Sequence, residues 1–309
     1  MRSRAHALAS DPFVEAAARA ELAASKSAVA AVVAGYFAAA GSKPGVLLGP
    51  LTLLVAGVGV GGRAFDGRLR QPGLGAKRPR GLLPGQRASQ SSKLALSTSV
   101  AALSVALAYD RARTMTPLAR VGARAASDAG ARVRAALLER VSEVGAIALT
   151  EARFVHPLLH VAGAAEGGLL APGDFAAPDD VSVDAAIDRS AEGALLEAPW
   201  AKAPADDSSV GHAACAVDAR GVFAALCYRE ISEGLALEEL ELTAALKAVP
   251  VRRGEPRVRP GERLPASAPA TIRCDASLAP FEVRVRREPK ARRTFGIARS
   301  SGRWVEANA

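Results

Sequence analysis

The chain has 309 residues, half of them apolar, with aromatics at 4% and charged residues at 23%. That mix buries a sizeable core and excludes wholesale disorder, while three cysteines without paired spacing exclude a disulfide framework. The net charge of +9 is uneven: residues 63–87 carry seven bases against one acid, and residues 251–303 carry fourteen against five.

No recognition helix, zinc module or aromatic stacking platform accompanies this charge, so a solvated basic face or sites for small carboxylates are expected, not a nucleic-acid interface. The free thiols fit a reducing compartment, and a cytoplasmic protein is expected. Cys215, Cys227 and Cys274 have no metal-ligand spacing. His156 and His160 stand four apart, but Pro157 lies between them and no carboxylate is in step, so no metal is expected.

The first predicted element is helical, over residues 12–40. It starts at an Asp11-Pro12 pair, runs through Ala-rich sequence, has a break near Ser25–Ser27 and ends at Gly41. Residues 45–62, GVLLGPLTLLVAGVGVGG, contain no charge across eighteen positions. Six glycines and Pro50 make this a buried strand with a glycine turn, not a membrane span. Two strands are therefore expected within 45–70, and a Pro-, Gly- and base-rich loop over 71–92. Helices are expected over 93–109 and 117–145, the second burying Val133, Leu137, Leu138 and Val141.

A turn and a short element follow in 163–180, then mixed sequence to 208. Residues 213–228, AACAVDARGVFAALCY, read as a hairpin around Asp218-Ala219-Arg220-Gly221. Residues 234–248 read as a helix carrying Glu238, Glu239 and Glu241 on a solvated face. Residues 249–273 are Pro- and Arg-rich, and 281–299 read as strands. The order is that of a mixed α/β fold with largely antiparallel strands.

Three stretches in this order resemble the γ-glutamyltransferases, of the N-terminal-nucleophile hydrolase group. They are SDPFVEAAARAELAASKSAVAAVVAGYFAAAG with FDGR at 65–68; residues 96–133 with EGGLLAPGDFA at 166–176; and SSVGHAACAVDARGVFAAL at 208–226. RPGERLPASAPATI at 259–272 is similar to that family's Pro-flanked serine loop.

The resemblance implies an α+β fold, a four-layer αββα sandwich with mainly antiparallel central sheets. It divides the chain into a large-subunit-like region at 1–207 and a β-rich, small-subunit-like region at 208–309, joined in one compact domain. It implies no cofactor and no membrane partner. The partner expected is a small-molecule carboxylate or a γ-glutamyl amide.

In that group a Thr, Ser or Cys becomes N-terminal by self-cleavage, and its own amine serves as the base. Ser209, just before an apolar strand, is the candidate nucleophile, with Ser208 as the alternative. Arg68 matches the family's Asp-x-Arg element and would bind a substrate carboxylate, since its fork grips both oxygens. The family's serine pair falls around Pro265-Ala266 here, with only Ser267 nearby as a substrate-binding candidate.

His212, three residues from Ser209, has no paired acid identifiable in the sequence. The glycine pair of the family's oxyanion site has no counterpart after Phe281. An inactive homologue serving as a binding or assembly module is therefore the alternative to an amidohydrolase or acyltransferase. A basic adaptor for acidic partners is the third reading.

Overall fold

The computed structural model describes residues 5–57, 61–77, 79–111, 113–176, 178, 180–201, 209–286, 294–300 and 303–307. Strand β1 (His6–Ala9) leads into helices α1 (Pro12–Ser25) and α2 (Ala28–Ser42), as the Ala-rich opening predicts. Asp11 caps α1 by accepting from the Phe13 N–H, and Ser27 caps α2 by accepting from the Ala30 N–H. The expected break thus falls at the serine that starts the second helix. Every residue of α2 from Ala28 to Gly41 is buried, because this helix is apolar on all sides and packs between other layers.

Strands β2 (Leu51–Gly57) and β3 (Gly61–Gly67) form the expected pair, followed by β4 (Leu69–Arg70) and β5 (Leu96–Ser97). The helical segment comprises α3 (Ser99–Asp110), α4 (Met115–Asp128), α5 (Arg132–Val144) and α6 (Ala152–Ala162). A 3₁₀ turn at Gly145–Thr150 precedes α6, and two more, at Ala164–Glu166 and Pro172–Phe175, follow it. Then come β6 (Ser182–Asp184), β7 (Ala186–Ser190), β8 (Gly193–Glu197), β9 (Ser209–Val217) and β10 (Phe223–Ile231). The chain ends in β11 (Leu235–Leu237), β12 (Leu242–Ala244), β13 (Ala270–Cys274), β14 (Pro280–Val285), β15 (Phe295–Ser300) and β16 (Arg303–Glu306).

Two six-stranded sheets face each other. Sheet I has the order β1-β9-β10-β2-β3-β6 and sheet II the order β16-β15-β14-β13-β8-β7, with antiparallel pairing throughout. Strands from both sides of residue 208 are neighbours in each sheet, so neither sheet is complete without both regions.

One core lies between sheet I and the helices and is built around α2, Leu53, Leu103 and Leu138. A second lies between the sheets, where Ala213, Cys215, Val217 and Phe223 meet Ile272, Val283 and Ile297. The helices lie against sheet I, with α4 on α2 and α5 on α4. The approach of α4 to α2 depends on glycine: a Cβ on Gly41 would sit 2.0 Å from the Gly122 carbonyl oxygen.

The mixed α+β sandwich with antiparallel central sheets is thus present. On the outer face of sheet II, Glu282 lies between Arg273 (3.3 Å) and Arg284 (2.8 Å). Among the described residues no helix layer packs on this face.

Four sequence expectations need correction. Residues 117–145 form two helices, because the chain turns at Gly130 with φ of 77°. Val133 is exposed, and Arg134 takes the buried place expected for it, reaching the Gly41 and Glu241 carbonyls at 3.0 Å each. Residues 234–248 are not a helix. They form the β11–β12 pair with a 3₁₀ turn between, and Glu241 adopts φ of 51°.

Tertiary hydrogen bonds override helix propensity there, from Thr243 N–H to Pro44 and from Ala95 N–H to Ala245. Glu241 is consequently no bystander on a solvated face. Its carboxylate accepts the Val133 and Arg134 N–H groups and caps α5 from outside the helix. Finally, strands begin before the expected 281: most of β13 lies within the Pro- and Arg-rich stretch 249–273, and its Thr271–Cys274 pair with β8.

Candidate functional site

The geometry of the site begins with the hairpin register. The turn aligns Val217 with Phe223, and hence Ala213 with Cys227, Gly211 with Arg229 and Ser209 with Ile231. Directly opposed residues share a face of a sheet. Ala213, Cys215, Phe223 and Cys227 lie in the inter-sheet core, so Ser209, Gly211 and Arg229 continue that same face. Leu54 of β2 belongs to the same core, and the register Thr52–Asp66 carries this face onto β3. Asp66, Thr52, Arg229 and Ser209 therefore cluster at one end of the inter-sheet layer.

Arg229 organises this end. Its side chain is 4% exposed. Nε donates to Ser209 Oγ at 2.6 Å, one Nη donates to the Ser209 carbonyl at 2.8 Å, and the other reaches Ser267 Oγ at 3.4 Å. Such charge-assisted bonds are about twice as strong as neutral ones. A guanidinium on a hydroxyl favours whatever negative charge develops on that oxygen.

A cavity of about 10 Å³ lies beside this group, lined by Thr52, Cys227, Arg229, Ala266 and Ser267 among others. That is room for about one water. Burial pushes the Cys227 thiol up to about 12, partly offset by Arg229, so this cysteine is an inert wall.

Arg68 belongs to a neighbouring cluster. Its Nε and Nη2 grip Asp66 at 2.8–3.2 Å, and its guanidinium lies 4.4 Å from the centre of the Trp200 ring. Trp200 Nε1 donates to Thr52 Oγ1 at 2.8 Å, and Thr52 lines the cavity. Arg263 stands 3.5 Å from Asp66 on the far side. Arg68 thus meets the Ser209 end through Trp200 and Thr52.

The structure brings Ser209 and Ser267 together through Arg229 and places Arg68 next to them. Ser208 lies outside the described residues. His212 points away from Ser209: the two are three positions apart, so their side chains leave opposite faces of β9. His212 stacks on Tyr228 with ring centroids 5.2 Å apart, and its Nε2 meets Glu230 at 3.0 Å. It does have an acid partner, but on the helix side, where Glu230 also holds Lys43 at 2.9 Å.

No protein-family model matches the chain, and no curated protein matches it. Solved structures do. Two structures of LmbA2991 match with TM-scores of 0.64 and 0.59 at 13% and 12% identity, covering 92% and 91% of this chain and 78% of each of theirs. Cephalosporin acylase from Bacillus halodurans matches with a TM-score of 0.59 at 12% identity, covering 91% of this chain and 77% of its own. The fold is of the N-terminal-nucleophile-hydrolase type. At these identities the likeness extends to the fold alone.

Within this fold the arrangement offers a buried hydroxyl, a cation on that hydroxyl and a second hydroxyl on the same cation. Among the described side-chain contacts, the His212 ring bonds Glu230, although His212 also lines the cavity at Arg229. Arg229 escaped the sequence reading, although a signal was present. It interrupts the apolar run FAALCY, and the hairpin register puts it beside the start of β9.

Proposed function

We propose that this chain is an N-terminal-nucleophile-type hydrolase or acyltransferase of amide bonds, acting on γ-glutamyl or related amides. Cleavage of the Ser208–Ser209 peptide bond frees the Ser209 amine. That amine then takes the hydroxyl proton as Oγ attacks the substrate carbonyl carbon. The proton passes to the departing amine, and an ester on Oγ holds the acyl group. Water completes hydrolysis, or a second amine completes transfer.

The observation that carries this reading is the 2.6 Å contact from buried Arg229 to Ser209 Oγ at the first residue of β9, on the face between the sheets. In this scheme Arg229 stabilises negative charge on the reacting oxygens, and Ser267 positions Arg229. Arg68 receives the substrate carboxylate at Nη1, the amino group that Asp66 leaves without a hydrogen bond.

A second reading has its own support. The cavity beside Arg229 holds only about 10 Å³ in the uncut chain, too little for any substrate. A chain that stays whole would be a binding or assembly module on this fold.

Intact mass of fresh and aged protein separates the two. The enzyme reading expects two fragments meeting at residues 208 and 209, and a Ser209→Ala variant that remains whole. A single lasting species of 31.7 kDa overturns self-cleavage and leaves the module.

A further inference from the structure

A second cavity, of about 110 Å³, opens on the helix side of the molecule and shares no lining residue with the one at Arg229. Its walls are apolar: Leu48, Leu96, Val100, Phe154 and Phe175, with Ile147 exposed among the lining residues. One cation enters it, Arg70 of β4.

Arg70 is incompletely paired. Its one hydrogen bond among the described residues runs from Nη2 to the Asp174 backbone carbonyl at 3.1 Å, and no described carboxylate forms a salt bridge with it. Asp174 is a lining residue too, and its carboxylate is occupied by four hydrogen bonds at 2.8–2.9 Å from the Gly73, Leu74 and Ala171 N–H groups. Asp180 is held by Arg263 at 3.1 Å. Burial, with repulsion from Arg263, lowers the Arg70 pKa and outweighs the attraction of Asp174 and Asp180. A partly buried arginine in an apolar chamber is costly unless an anion joins it.

We propose that this cavity is a binding site for a small amphipathic monocarboxylate, its carboxylate on Arg70 and its apolar body against Leu96, Val100 and Phe154. The volume approaches the ~150 Å³ of engineered cavities that take benzene, so the body is about one ring or a six-carbon chain. Ser97 and Thr98 also line the chamber, but their hydroxyls are held by Gly67, Ser99, Asp66 and Arg263, which leaves Arg70 as its cationic group. The site stands apart from the Ser209 reading, since none of its residues takes part in that chemistry.

Titration calorimetry of the full chain with benzoate and hexanoate, each up to about 10 mM, tests it, with benzyl alcohol as the uncharged control. Saturable binding of at least one carboxylate is expected, weaker by about tenfold or more in Arg70→Gln, where the preference over benzyl alcohol disappears. Ala101→Phe fills the chamber and is expected to abolish binding even if Arg70→Gln fails to fold. Binding is expected to persist in Ser209→Ala, which separates this site from the proposed catalytic one. No saturation by either carboxylate, or binding indifferent to both the Arg70 and Ala101 changes, overturns the proposal.

Discussion

The two ends of the β9–β10 hairpin handle buried charge in opposite ways. At the turn, Asp218 is fully buried and its carboxylate is saturated. It accepts the Arg220 and Val222 N–H groups at 2.8 and 3.1 Å, two bonds from the Arg220 guanidinium, and the first N–H of α2. Arg220 in turn reaches Asp110 at the end of α3, and Asp110 accepts from the α2 cap Ser27 at 2.5 Å. The turn is thereby fastened to two helices. At the open end, Arg229 instead meets two serine hydroxyls and a carbonyl beside a cavity. A buried charge whose partners are backbone groups and helix ends holds a fold together. One that holds hydroxyls beside a cavity, as Arg229 does among the described contacts, is placed for chemistry.

Substitution at each end tests that distinction. Asp218→Ala strips acceptors from several N–H groups and is expected to cost about 3 kcal/mol, read as a lower urea midpoint at unchanged slope. Arg229→Leu replaces a buried cation with an apolar group and is expected to cost less, about 1–2 kcal/mol. Its larger effect falls on chemistry: self-cleavage at Ser209, followed by mass, is expected to slow by about a hundredfold. Equal stability losses at the two ends, with cleavage unaffected at the open end, would erase the contrast.

Much of the fold can be read without coordinates, for physical reasons. Asp11-Pro12 and Ser27 mark helix starts because their oxygens accept orphan N–H groups, and the structure uses both. The hairpin at 213–228 is legible because Asp218 and Gly221, the latter at φ of 79°, supply turn chemistry between two apolar runs. What fails is what tertiary contacts decide. GLALEELELTAALKA has helix-forming residues throughout, yet its backbone pairs with residues 44 and 95 and its glutamate caps a distant helix.

The site divides in the same way. Ser209 is visible as the residue that opens an apolar strand. Its relation to Arg229 and Ser267 depends on a register and a loop that only the folded chain brings together. The period-two rule on β9, applied to the sequence, would have set His212 and Ser209 apart.

The smallest effect concerns the opposite face of the same strands. Glu230 is partly buried, which alone would raise its pKa, but hydrogen bonds from Lys43 and His212 outweigh burial and hold it below the ordinary carboxylate value. A carboxylate depressed in the folded state contributes stability above its unfolded pKa, near 4.3, and loses it as pH falls through the folded value. Glu230→Gln is therefore expected to lower the urea midpoint modestly at pH 6, with the gap to the parent protein closing below about pH 4. A gap that stays constant from pH 6 down to about pH 3 would mean that shape, not charge, is what Glu230 supplies. On the Ser209 face, the described contacts of Ser209 are instead with the Arg229 guanidinium. Acid sensitivity confined to Glu230 would thus separate the helix-side face of the hairpin from its inter-sheet face by charge as well as by geometry.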